Sequence, residues 1–299
     1  MRTYRIRHET AYRYEGRITS SYGLCHLTPR EDSRQHVLDH RLRITPAPAD
    51  LATYVDVYGN ARTWYQVTEP HTDLVIVGTT DLTVAEQTVA PEALAVPWEQ
   101  CRPDRRRDVT DWWRAVDLTL PSPRVDVLPE VAAYAAGSFL PGRPVGEAVQ
   151  DLNHRIHADF TYDPRATTVT TRVGEVLALR AGVCQDFAQL MVSCLRSVGL
   201  AGRYVSGYLA TVAAPGRPRN IGADATHAWA GVWLPGADWY DLDPTNDRPV
   251  DESHATVAWG RDYSDVAPVR GVIYGDSGGS SMKVSVDMAP RELSTFPAP

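Results

Sequence analysis

Long apolar runs are missing from this 299-residue chain. No stretch approaches the roughly 20 apolar residues that cross a bilayer as a helix, so no membrane span or membrane partner is expected. The start, Met1-Arg2-Thr3-Tyr4-Arg5-Ile6-Arg7-His8, lacks the apolar core of a signal peptide. Together these absences predict a cytoplasmic protein. Cysteine is scarce: Cys25, Cys101, Cys184 and Cys194 show no CxxC spacing. That argues against a disulfide framework and a cysteine zinc site and reads as four reduced thiols. No His/Cys/Asp/Glu run has metal-ligand spacing and no acidic loop follows the EF-hand pattern, so no metal and no cofactor are expected. Basic charge is also short. With Lys+Arg 30 against Asp+Glu 37 the net charge is −7, which disfavours a nucleic-acid partner. The basic cluster from Arg102 to Arg107 is diluted by Asp104 and Asp108 and reads as a solvated linker face.

What is present is ordinary globular composition, 43% hydrophobic and 22% charged. The length suits two domains or one elaborated domain. Over residues 1–85, Tyr4, Ile6, His8, Thr10, Tyr12 and Tyr14 alternate with Arg5, Arg7, Glu9, Ala11 and Arg13, a period-two strand pattern. Glu15-Gly16 reads as a hairpin turn. Further strands are expected over 36–44, 52–57, 62–68 and 73–84, making an antiparallel β-domain. Residues 86–126 hold Pro91, Pro97, Pro103, Pro121 and Pro123 and read as a Pro-rich linker, with a helical turn at Asp111-Trp112-Trp113-Arg114.

From residue 127 the period turns helical. Helices are expected from Leu128, over 144–159, over 173–179 and from Cys184 to about Val198. In the last, Cys184, Phe187, Ala188, Met191, Leu195 and Val198 share a face and Gly199 stops it. A strand over 203–209 precedes a Pro/Gly-rich loop at 213–222. Thr226–Leu234 and Trp239–Leu242 read as an antiparallel pair around Pro235-Gly236, and the tail over 269–288 as two strands around Gly275 to Ser280. The tail is assigned to a catalytic core over 127–299.

The chemistry sits in that core. Cys184 opens a helix, where unpaired N–H groups and the helix dipole favour a thiolate and can face a developing oxyanion. Gly182 allows a sharp entry. His227 begins one strand and Asp243 ends the next, so nucleophile, base and base-orienter follow in order. Each has a bland alternative: a small buried thiol, a structural histidine, an Asx-type turn start. If Trp229 opposes Asp243, His227 and Asp243 are diagonal neighbours on one face. The register is open, and Asp241, of the same parity, is the second candidate orienter. Trp229, Trp233 and Trp239 read as sheet core more readily than as walls of an acyl tunnel.

The blocks Gly182-Val183-Cys184-Gln185-Asp186-Phe187-Ala188, His227-Ala228-Trp229 and Asp243-Pro244-Thr245-Asn246, with Arg203–Tyr208 and Phe160-Thr161-Tyr162, resemble those of the bacterial transglutaminase-like superfamily. The first 85 residues are similar to the domain that precedes this core in bacterial members. The resemblance implies an α+β fold: an N-terminal antiparallel β-domain, then a papain-like, transglutaminase-like core in which the cysteine helix packs on an antiparallel sheet. It also implies catalytic Cys184, His227 and Asp243, acting on a peptide or protein substrate by cysteine-dependent acyl transfer through a thioester. A non-catalytic peptide-binding module on the same scaffold is the alternative.

Overall fold

The structure, a computed structural model, describes residues 1–103, 112–211, 226–276 and 278–293. The expected loop over 213–222, most of the basic cluster and Asp111 fall outside them. The fold has two large antiparallel sheets with helices packed on the second. In chain order the strands are β1 (Arg2–Cys25), β2 (Gln35–Thr45), β3 (Asp50–Val55), β4 (Ala61–Val67), β5 (His71–Val84), β6 (Thr161–Tyr162), β7 (Ala181–Gly182), β8 (Gly202–Leu209), β9 (Thr226–Leu234), β10 (Asp238–Asp243), β11 (Arg248–Pro249), β12 (His254–Gly260), β13 (Val269–Gly275) and β14 (Ser280–Pro290). The helices are α1 (Pro91–Leu94), α2 (Trp112–Asp117), α3 (Pro129–Ala136), α4 (Val145–Asp159), α5 (Val173–Leu179), α6 (Cys184–Ser197) and α7 (Tyr263–Val266).

β1 organises the first sheet. Tyr4, Ile6, His8 and Thr10 are buried while the residues between them are not, as the alternation predicts. The hairpin expected at Glu15-Gly16 is absent, because β1 runs through it. The turn-forming pair marks a change of neighbours instead. Before it, β1 lies between β5 and β14; after it, chiefly between β4 and β13, with register shifts at the changeover. Across it the Glu15 N–H donates to Gly279 O at 3.0 Å and Arg17 O accepts from the Asp276 N–H at 3.2 Å, so backbone bonds to the chain between β13 and β14 accompany β1 through the pair.

The tail strands also depart from expectation. β13 and β14 lie end to end along β1 in the first sheet, so the chain's last strands return to the N-terminal region rather than extending the second sheet. The Pro-rich stretch is no free linker. Trp98 packs on Phe139, Pro97 bridges to Pro144, and Trp98, Cys101 and Val125 are buried in one core with Tyr4, Ile6, Phe187 and Leu190.

The second sheet has the order β11-β10-β9-β8-β12, with α6 packed on β8 and β9. α6 is buried all along, Asp186 to Arg196 without exception, so the one-sided apolar face understates it. β12 was not anticipated: His254-Ala-Thr-Val-Ala-Trp-Gly260 shows no alternation because nearly every residue is buried. As an edge strand it would expose unpaired backbone. Two amides from the N-terminal region close that edge. Gln35 donates to Thr256 O and accepts from Thr256 N, both at 2.8 Å; Asn60 donates to Trp259 O at 2.8 Å and accepts from its N–H at 2.9 Å. The N-terminal region thereby holds the second sheet by its outermost strand.

Candidate active site

The position of Cys184, the expected nucleophile, is fixed from below. β6 and β7 pair in parallel, and the chain leaves β7 at Gly182, passes through extended Val183 and enters α6 at Cys184. Asp186, three residues into the turn, accepts the Val183 N–H at 2.9 Å and the Thr167 hydroxyl at 2.6 Å through Oδ2. This carboxylate cap satisfies a donor that the helix leaves orphaned. Burial pushes the Asp186 carboxyl up against those two hydrogen bonds. A Cβ at Gly182 would stand 2.7 Å from Asp186 Oδ2, so only glycine leaves room for the cap. Cys184 itself is partly exposed, whereas Cys25, Cys101 and Cys194 are buried.

His227 and Asp243, the expected base and orienter, meet across the β9–β10 pair. Asp241 opposes Gly231 and Leu242 opposes Ala230, and the same register carried one residue further sets Asp243 across from Trp229. His227 and Asp243 are therefore diagonal neighbours, and His227 Nε2 lies 2.7 Å from Asp243 Oδ2. The other ring nitrogen, Nδ1, is not used by Asp243, and Cys184 lies near enough to contribute to raising the His227 pKa. Burial alone would lower the His227 pKa. The hydrogen bonds to Asp243 and Cys184 and the charges of both outweigh it and raise the value well above the usual histidine range. Asp243 is fully buried, which opposes ionisation, yet its hydrogen bonds to His227 and His254 hold it far below the usual carboxylate range.

Asp243 makes the contacts of both readings the sequence allowed. Its Oδ1 takes the backbone N–H of Thr245 at 2.9 Å and of Asn246 at 3.3 Å, an Asx-type turn. Its Oδ2 takes His227 and the Asn246 side-chain amide, the latter at 2.6 Å. One carboxylate shapes the turn with one oxygen and hydrogen-bonds His227 with the other.

Asp241 is not an orienter. It forms a bidentate pair with Arg203, at 2.9 and 2.8 Å from Nη2, and accepts from Trp229 Nε1 at 3.3 Å. The Arg203 guanidinium in turn stacks on Trp239 and Trp259, 4.6 and 3.9 Å from the ring centroids. Trp229 is fully buried and Trp233 nearly so, which makes both of them sheet core.

Three residues around the triad were not singled out beforehand. Asn246 and Asp186 lay within the matched blocks, and their spacing from Asp243 and Val183 carried a capping signal. His254 carried none. It reaches Asp243 Oδ2 at 3.2 Å through Nε2 and Asp251 Oδ1 at 2.9 Å through Nδ1, a long-range meeting made by β12. His227, Asp243 and His254 bring three potential ligand atoms within 4.8 Å of one another. Asp243 Oδ2 is hydrogen-bonded to both imidazoles.

Comparison with known proteins agrees with this arrangement. Residues 4–83 match the family model of the bacterial transglutaminase-like N-terminal region, and residues 133–244 that of the transglutaminase-like superfamily. An uncharacterised protein of Mycobacterium tuberculosis is 48% identical over 97% of this chain and 93% of its own. One of Mycobacterium leprae is 33% identical over 95% of this chain and 97% of its own. A protein-glutamine gamma-glutamyltransferase of Pseudomonas aeruginosa is 29% identical, over 50% of this chain and 22% of its own length. In fold, the chain is similar to a candidate cysteine protease from Cytophaga hutchinsonii, with a TM-score of 0.75 at 20% identity, covering 100% of this chain and 93% of that one. The chain belongs to the transglutaminase-like superfamily, with that superfamily's α+β fold.

Proposed function

We propose that the protein is a cysteine-dependent acyltransferase on peptide or protein amides, with Cys184 as nucleophile, His227 as acid–base and Asp243 as its orienter. The observation that carries this reading is the 2.7 Å pairing of His227 Nε2 with Asp243 Oδ2, with Cys184 near enough to help raise the His227 pKa. The Cys184 thiolate attacks the amide carbonyl carbon. The oxyanion faces N–H groups at the start of α6, which the helix does not use internally. His227 then gives its proton to the leaving nitrogen, the C–N bond breaks and a thioester forms. Water or a primary amine attacks next, His227 takes its proton, and the thiol is released.

The chain has a single lysine, Lys283, exposed on β14, so an amine acceptor would be supplied chiefly by another molecule. The intact constellation favours this reading over a non-catalytic peptide-binding module. No nucleic acid, membrane, metal or cofactor enters it. Four free cysteines suit a reducing, cytoplasmic setting. No helix among the described residues is long and apolar enough to cross a membrane.

Activity profiling against a peptide library, with and without a free primary amine, tests the proposal. Amide cleavage or amine incorporation that disappears in Cys184→Ala supports it. A peptide bound equally well by wild type and Cys184→Ala, with no turnover in either, identifies the binding module instead.

A further inference from the structure

His254 lies 27 residues beyond His227 in the sequence and shares its carboxylate oxygen. Asp243 Oδ2 is 2.7 Å from His227 Nε2 and 3.2 Å from His254 Nε2. The far side of His254 rests on Asp251, and Asp251 on Arg248 at 2.7 Å. A chain of contacts thus runs His227–Asp243–His254–Asp251–Arg248 from the base to a partly exposed ion pair. The groups facing His254 are Asp243 from β10, His227 and Trp229 from β9, Asp251 and Ser253 from the preceding turn, and Arg34 from the N-terminal region. Arg34 holds the backbone rather than the ring. It donates to His254 O at 3.1 Å and Asp251 O at 3.0 Å, and Gln35 clamps Thr256 two residues on. The imidazole is wholly buried and its strand is pinned from outside the catalytic core.

We propose that His254 is a positioning residue that sets the pH range of the Cys184–His227 pair by sharing Asp243 with His227. The inference rests on the acyl-transfer site described above. A carboxylate oxygen accepting a second imidazole N–H has less electron density for the first. His254 therefore weakens Asp243's hold on the His227 proton and makes that proton easier to pass to a leaving group. The base stays oriented without being held too firmly as an imidazolium. Because Arg34 and Gln35 fix β12, the N-terminal region takes part in placing this second imidazole.

The test follows His227 by NMR titration of ¹⁵N-labelled protein, alongside the rate of Cys184 alkylation by iodoacetamide as pH is varied, neither of which needs a substrate. His254→Leu removes the shared donor, and His227 should titrate about one pH unit higher. His254→Gln can offer an amide N–H to Asp243 and should return most of the way to wild type. Asp251→Asn, at a partly exposed site that will tolerate it, loosens the far anchor and should move the titration in the same direction by a few tenths of a unit. Unchanged titration in all three variants, even with lowered melting temperature, would reduce His254 to packing and overturn the inference, as would a downward shift. If His227 in the wild type titrates identically with and without Cys184→Ser, the paired site itself fails. With coupling intact and the variants unshifted, only the role of His254 falls.

Discussion

Asp241 and Asp243 stand two residues apart on one strand face and serve unrelated partners: Asp243 orients His227, while Asp241 neutralises Arg203. Both are buried, so parity and burial could not separate them. Their asparagine variants should therefore fail differently. Asp243→Asn places an amide against His227 Nε2 that can donate, favouring the wrong tautomer. Turnover should fall about a thousandfold or more while the fold persists. Asp241→Asn leaves the Arg203 charge buried without a counter-charge and should cost about 3 kcal/mol of stability, or more. The check is chemical denaturation of both variants beside turnover per folded molecule. A stable Asp241→Asn with no activity would reverse the two assignments.

Thiol chemistry separates Cys184 from the other three cysteines. Burial pushes the Cys25 and Cys194 thiols up to about 12, and Cys101 is fully buried. Cys184 is partly exposed and close enough to His227 to help raise the pKa of that ring. Iodoacetamide at pH about 6, where an ordinary thiol is almost fully protonated, should label Cys184 at least tenfold faster than any other cysteine. Peptide mapping by mass spectrometry reads the order directly. In His227→Ala that advantage should disappear.

Much of this site could be read from the chain because its parts are local. A cysteine at a helix start, a histidine at a strand start and an aspartate at a strand end are each set by a few neighbouring residues. Strand parity then narrowed the orienter to two candidates. What sequence could not supply was long-range pairing. β12 is buried throughout and shows no alternation, so neither the strand nor His254 gave a signal. Glu15-Gly16 has the composition of a turn, yet β1 runs straight through it, with long-range backbone bonds from Glu15 to Gly279 and from Asp276 to Arg17. The tail strands were recognised as strands, but their place beside β1 is a matter of topology that local pattern does not carry.

His8 gives a pH dependence with a definite sign. It is buried between the Tyr208 hydroxyl and Thr10 Oγ1, each at 3.0 Å, and burial lowers its pKa to about 4. A depressed folded value means that the neutral ring's contribution is complete above the unfolded pKa of about 6.5 and is lost as pH falls toward about 4. Within that window His8 should contribute a slope approaching 1.4 kcal/mol per pH unit. His40, also lowered to about 4 by burial, adds to it. Urea unfolding at several pH values between about 7 and 4 should show stability falling with acid, and His8→Gln should flatten that fall by about one proton's worth. The His227–Asp243 pair does not produce this slope. Asp243's contribution is complete above about 3.8, and that of His227, whose folded value is raised, is complete below about 6.5 and fades only as pH rises beyond it. An unchanged slope in His8→Gln would mean that the proton is taken up elsewhere.

Gly182 tests whether the turn before Cys184 is shaped for chemistry or merely for folding. Its φ is not in the left-handed region that only glycine adopts freely, so alanine suits the backbone itself. The conflict lies in space: the added methyl would stand 2.7 Å from Asp186 Oδ2 and 2.9 Å from Asp186 Cβ. Asp186 is buried and holds both Val183 N–H and Thr167, so it has little freedom to withdraw. Relief must come from moving the Val183–Cys184 segment, which also carries the thiol and the N–H groups proposed to face an oxyanion. Gly182→Ala should therefore lower the Cys184 alkylation rate and turnover by tenfold or more, since displacement of about 1 Å is enough for a large kinetic loss. Pairing it with Asp186→Ala removes the tightest contact, that with Oδ2, and leaves only the Cβ contact at 2.9 Å. If crowding is the cause, the double variant should react faster than Gly182→Ala alone, even though Asp186→Ala by itself loses the cap and about 1 kcal/mol of stability. Strictly additive losses in the double variant would show that the two residues act separately, and that the turn into α6 is not held by their contact.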